Sequence, residues 1–214
     1  MKKYIISLFL ISVFVFPQTS FAENTIPVNS AIRTVHSSLD FAKSYKTTSE
    51  NSTLEQLKQK GYDVITGATI KNTFIDFIGI SKSQICLCLN DKEPGDWLAD
   101  EERFNDEEPL WFSESSHRIS PVCKIHLAKS ALEEKLKDAD FSFEVVPFVI
   151  EQIGNIINAE DMLDIWHDLN VKVTRIDRGS PKEIPLFAKV LEEAEEKVDK
   201  SVLEKLKKLI RNIA

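Results

Sequence analysis

Ile85-Cys86-Leu87-Cys88 opens the stretch on which the reading of this chain turns, and Pro121-Val122-Cys123-Lys124-Ile125-His126 closes it. It holds all three cysteines, two of the three tryptophans (Trp97, Trp111) and two of the four histidines, so thiol, indole or imidazole chemistry has to be sought here first. Upstream, Ile70 to Leu89 is rich in Ile, Phe, Thr and Cys, and Gly79 and Ser81-Lys82-Ser83 split it into strands. Downstream, Ile125 to Ala139 has apolar residues at 127, 128, 131, 132, 136 and 139, the spacing of a helix with one buried face. Phe141 to Ile150 alternates around Phe143, Val145 and Phe148 as a strand, with Pro147 favouring an edge. Strands mixed with helices predict an α/β or α+β fold: a mixed sheet with flanking helices.

Working outward, Ser52-Thr53-Leu54-Glu55 has capping-box spacing and predicts a short helix that ends at Gly61. Tyr62 to Thr66 reads as a strand and Gly67 as a turn. Asn158 caps a helix through Leu169, Val171 to Ile176 alternates as a strand, and Gly179 turns the chain. Ser180-Pro181 then opens a helix. Leu186, Val190, Ala194, Val198, Val202, Leu206, Leu209 and Ile213 recur at spacings of four and three. The pattern predicts a long C-terminal amphipathic helix over 181–213, or two helices jointed near Asp199-Lys200-Ser201, packed on its own domain.

The amino terminus runs Met1-Lys2-Lys3, an apolar stretch from Tyr4 to Phe16, and Ser20-Phe21-Ala22, which describes a signal peptide over 1–22 cut after Ala22. Pro17-Gln18-Thr19 interrupts the run too early for a bilayer span, and no later segment is apolar enough to span. The expected product is periplasmic or secreted. Cleavage removes two lysines and no acid, taking the formal charge from −7 to −9. Polar residues 23–51 read as a flexible arm, and 52–214 as a single α/β domain able to bury its own core.

Residues 91–108 carry nine acids against Lys92 and Arg103, with Pro94-Gly95 and Pro109 as breakers, and read as a solvated loop. Net acidity excludes a phosphate-neutralising surface, so no direct nucleic-acid contact is expected. The order of acids does not match a calcium loop. Glu93, Asp96, Trp97, Asp100, Glu101, Glu102 and Trp111 form the candidate interaction loop.

Three cysteines in an exported chain invite a disulfide. A bridge from Cys86 or Cys88 to Cys123 closes a loop of roughly 36 residues, worth about 3.8 kcal/mol on the loop-entropy model. Two other readings remain open: thiol–disulfide exchange by Cys86 and Cys88, which needs a nearby positive charge that the sequence does not supply, and a metal site from Cys86-x-Cys88 with Cys123-x-x-His126, whose first spacing is too short for the usual zinc pattern. His167, beside Asp164 and Asp168, has no nucleophile tied to it and reads as a surface histidine. No catalytic residue and no cofactor is assigned.

Ile85-Cys86-Leu87-Cys88, Glu108-Pro109 with Trp111, and Pro121-Val122-Cys123 followed by Ile125 and Leu127 resemble a segment of the TraU-type proteins, over residues 84–127. These are exported, disulfide-containing components of F-type conjugative transfer (type IV secretion) systems. The resemblance implies a non-enzymatic envelope protein that assembles or stabilises the mating apparatus, with Cys86, Cys88 and Cys123 as disulfide positions. The chain is therefore expected to be an exported structural or assembly protein with protein partners in the cell envelope. The alternatives are a periplasmic thiol–disulfide exchange protein, and a binding or immunity protein that uses its acidic loop.

Overall fold

A computed structural model describes residues 52–101, 108–176 and 184–213. The leader, the arm, Glu102 and the Ser180-Pro181 cap lie outside the described residues. The centre is a five-stranded mixed sheet in the order β1-β2-β3-β7-β9, formed by β1 (Asp63–Ile70), β2 (Thr73–Ile80), β3 (Gln84–Asp91), β7 (Glu144–Glu151) and β9 (Lys172–Arg175). The first three strands run antiparallel, while β3, β7 and β9 run parallel. The helices are α1 (residues 52–59), α2 (Pro121–Asp138), α3 (Ala159–Asp168), α4 (Phe187–Val190) and α5 (Lys200–Arg211). The chain is an α+β protein, as its sequence pattern led us to expect. No helix among the described residues is long and apolar enough to cross a membrane.

Strand alternation gives the sheet two apolar faces, and both are covered. Ile85 and Leu87 of β3 and Val145 and Val149 of β7 face a core shared with Ile125 and Leu132 of α2, Trp166 of α3, and Leu206 and Ile210 of α5. Cys86, Cys88, Val146, Phe148 and Ile150 point the other way, against Leu57 of α1, Phe187 of α4, and Leu191. Phe148 and Phe187 meet edge-on at 5.2 Å. Burying each such side chain contributes about 1.5–3 kcal/mol relative to exposure, which explains why strands with little polar character on either side end up in the middle.

Three sequence expectations are corrected. Gly67 is not a turn: β1 runs through it, and the hairpin turn is Lys71-Asn72, with φ of 45° and 65°, the doubly left-handed pair that a two-residue hairpin loop requires. Gly67 itself has φ +64° and marks a change of face, since Val64 packs with Cys86 whereas Ala68 and Ile70, beyond it, pack with Ile85. β7, containing Pro147, is not an edge strand but lies between β3 and β9. The C-terminal pattern does not form one helix over 181–213. A helix is present at Lys200–Arg211, starting at the expected joint, with its apolar side in the main core. Before it, residues 191–199 are irregular, with bends at Leu191 and Glu195-Glu196, and strap the sheet margin, with the Ala194 amide bonded to the Lys60 carbonyl (2.8 Å) and the Lys82 amide to the Glu196 carbonyl (2.9 Å). Leu191 lies in one core and Val198 in the other, and a straight helix could not serve both faces of the sheet.

Candidate functional site

Beyond the carboxyl end of β3 the chain builds a second, smaller layer from β4 (Asp96–Trp97), β5 (Leu110–Phe112), β6 (His117–Ile119) and β8 (Asn155–Ile156). β4 runs parallel to β8 and β5 antiparallel to β6. Leu98 pairs with Phe112, with amide-to-carbonyl bonds of 2.7 and 3.0 Å between them, so the four strands form one ribbon in the order β8-β4-β5-β6. Asn158 extends the β8–β4 seam with its side chain, accepting from the Ala99 amide and donating to the Ala99 carbonyl, both at 2.8 Å. It does not cap α3 by a side-chain bond.

Each strand sends one side chain inward and the next outward. Trp97, Trp111 and Ile156 enter the main core. Leu98, Phe112 and Ile157 face solvent at 44%, 42% and 58% exposure. They are neighbours in register: the Ile157 amide bonds to the Trp97 carbonyl beside Leu98, Leu98 faces Phe112, and Phe112 faces His117, whose ring lies 6.4 Å away. The result is a continuous cross-strand row, Ile157-Leu98-Phe112-His117, three of its four members large and apolar. Scattered apolar side chains on a surface are ordinary, whereas a contiguous patch marks an interaction site.

The row rests on a rigid base. The Arg118 guanidinium lies 4.1 Å from the Trp97 ring and 5.2 Å from that of Trp111, and donates to both Asp91 oxygens at 2.5 and 2.6 Å. Behind Trp111, its indole N–H and the Ser120 hydroxyl each donate at 2.8 Å to Oε1 of Glu101. The Ser120 oxygen in turn accepts from the amides of Val122 and Cys123 and starts α2. Burial holds the Glu101 carboxyl above the usual carboxylate range, against the opposing pull of these donors.

These contacts revise the candidate interaction loop. Trp97, Trp111 and Glu101 are buried and act from behind the surface, as packing and anchors. Glu93 and Asp96 are exposed and Asp100 is half-buried. Glu102 lies outside the described residues. Leu98, Phe112, Ile157, His117 and Arg118 were not singled out from the sequence. Strands of two or three residues are too short for their alternation to be read, although Asp96-Trp97-Leu98 and Leu110-Trp111-Phe112 do share a polar-or-apolar frame around an inward Trp.

A cleft of about 670 Å³ lies beside the ribbon, among Phe74, Asp76, Lys92, Trp97, Arg118 and Lys124. Its charges are largely turned on one another: Lys92 pairs with Asp76 at 2.7 Å, whose second oxygen accepts from the Asn90 amide at 2.8 Å. Among the described residues, the Thr73 hydroxyl of its wall donates to the Lys124 carbonyl at 3.3 Å and that of Ser116 pairs with the Ser113 hydroxyl at 2.8 Å.

The expected bridge is not seen. All three cysteines are buried free thiols. Cys86 and Cys88 face the α1/α4 side of the sheet, whereas Cys123 sits at the start of α2 on the opposite side, so the sheet stands between them. A disulfide needs Cα atoms within about 7 Å and converging Cβ vectors, a condition that two opposed faces do not meet. Exchange chemistry is equally ill served: burial pushes the Cys86 thiol up to about 12 and holds Cys88 well above its ordinary value. Burial, with Glu101 and Glu108 nearby, raises Cys123. Reactive thiols need the reverse shift. Among the described residues no group of three or more His, Cys, Asp or Glu could hold a metal ion. His126 bonds through Nδ1 to the Leu169 carbonyl at 3.1 Å. His167 and Asp168 form an exposed pair 3.8 Å apart.

Fold and site together define an α+β protein that carries a solvent-facing apolar row on a braced accessory ribbon. No family model matches the chain, and neither does any curated protein or solved structure.

Proposed function

We propose that this chain is an exported, non-enzymatic interaction protein of the cell envelope that joins a larger assembly through the outer face of its ribbon. The observation that carries this is the row Ile157-Leu98-Phe112-His117, an apolar strip left in water on top of a base held by a bidentate ion pair and two indole rings. A rigid scaffold under an exposed apolar strip suits binding with little loss of conformational freedom. The leader-like amino terminus supports the envelope setting, and the resemblance of residues 84–127 to TraU-type proteins supports a conjugative transfer apparatus as the assembly.

The test is retention. Affinity-tagged chain, expressed at native level, is extracted from envelopes in mild detergent and its complex size measured, alongside Leu98→Asp and Phe112→Asp. Wild type is expected in a large complex, trimmed after Ala22, with both variants released as monomers. A wild-type monomer, an untrimmed cytoplasmic product, or variants retained like wild type would each overturn the proposal.

A further inference from the structure

The dimensions and borders of the row limit what can cover it. It crosses four neighbouring strands, so three inter-strand steps of about 4.8 Å give a strip about 14 Å long. Three turns of α-helix span about 16 Å, and apolar residues at i, i+4, i+7 and i+11 lie along such a strip. Two acids flank the row, while the exposed Lys124 lies in the adjacent cleft. Asp96, two residues before Leu98 and therefore on the same side of β4, is exposed and accepts from the Asn155 side-chain Nδ2 at 3.1 Å. Glu114 is exposed in the turn that follows Phe112. Among the described residues neither Asp96 nor Glu114 has an ion-pair partner. The one arginine on these strands, Arg118, is turned inward to Asp91.

An apolar strip with an uncompensated acidic border complements an apolar strip with a basic border. A second copy docked through the same face would set Asp96 and Glu114 against acids of their own kind, and an anionic lipid surface would meet the same repulsion. On the footing of the interaction role given above, we propose that the row receives a cationic amphipathic helix of a partner protein. The helix lies across the four strands with its apolar stripe on Ile157, Leu98 and Phe112 and its Lys or Arg flank against Asp96 and Glu114. This is the helix-on-groove mode of recognition, with charge supplying register and encounter rate.

The probes are two synthetic helical peptides of about five turns, one patterned Leu/Lys and the other Leu/Glu on the same apolar stripe, titrated into the purified chain by fluorescence anisotropy. The Leu/Lys peptide is expected to bind at low salt, and to weaken as salt rises and shortens the screening length. It should also weaken by at least about tenfold, or 1.4 kcal/mol, on Leu98→Asp or Phe112→Asp. Asp96→Lys with Glu114→Lys should reverse the preference in favour of Leu/Glu. All four positions are exposed, and thermal melts matching wild type confirm that the variants fold. Equal binding of both peptides, binding of neither, Leu/Lys binding indifferent to the row variants, or a dimer of the chain alone that those variants abolish would each overturn the cationic helix. The retention experiment scores the interaction role without any peptide. Row variants that lose retention while the peptides fail would leave that role standing and remove only this partner.

Discussion

Arg118→Ala is the sharpest perturbation of the base under the row. Asp91 and Arg118 have side-chain exposures of 7% and 16% and meet through two bonds, one to each carboxylate oxygen. Removing the arginine leaves a buried carboxylate whose other bond, from the Glu93 amide, is long at 3.4 Å. Breaking one side of a buried pair costs about 3–5 kcal/mol, and losing a cation from the face of Trp97 at 4.1 Å costs about 1 kcal/mol more. The residual exposure of Arg118 favours the lower part of the combined range, about 4–5 kcal/mol in all, a large share of the 5–15 kcal/mol typical of a domain. In urea, with m near 2 kcal/mol/M, the midpoint should fall by about 2–2.5 M, followed by far-UV circular dichroism for the whole fold and by tryptophan fluorescence for Trp97 and Trp111. Arg118→Met combined with Asp91→Leu should cost less than Arg118→Ala alone, because no charge is stranded. A loss below about 1 kcal/mol for the single variant, or a double variant that fares worse, would refute the view that this pair supports the ribbon.

Glu101 is a carboxyl whose ionisation opposes the fold. Its folded-state value lies above 4.5 because of burial, so the native state holds a proton that the unfolded state gives up, and stability should fall as pH rises from 4.5 through the folded value. Glu101→Gln should flatten that slope in urea midpoints measured across the window, and an unchanged slope would contradict it. Gly154→Ala would place a Cβ 2.5 Å from the Glu93 carbonyl oxygen, a backbone atom that cannot swing aside. It should cost about 2–3 kcal/mol as overpacking and reduce peptide binding by displacing β8. Cys86, Cys88 and Cys123 should resist an aromatic disulfide reagent in the native chain and titrate as three thiols once unfolded. Two fewer thiols in the unreduced, unfolded chain would restore the bridge.

Much of the framework was legible because it rests on long periodic segments. The Ser81-Lys82-Ser83 turn, the helix at 125–139, the strand ending at Ile150, the helix following Asn158 and the C-terminal helix from Lys200 are all present. What escaped depended on partners distant in sequence. Lys71-Asn72 turns without glycine, so Gly67 drew the turn instead. The irregular strap at 191–199 breaks a helical spacing of apolar residues, with Val190 and Ala194 packing on one side of the sheet and Val198 on the other. The cysteine spacing gave a plausible loop length, yet period-two alternation in β3 and the choice of face by α2 decide whether sulfurs can meet. Trp97 and Trp111 looked like surface aromatics inside an acidic loop until the ribbon folded over them, leaving their apolar neighbours outside.

The most direct test of the account is hydroxyl-radical footprinting of Leu98, Phe112 and Ile157, comparing the purified chain with the chain in intact envelope extracts. Several-fold protection of these three side chains in the extract, with exposed Phe74 unchanged as an internal reference, is the predicted result. Equal oxidation of the row in both samples would contradict it.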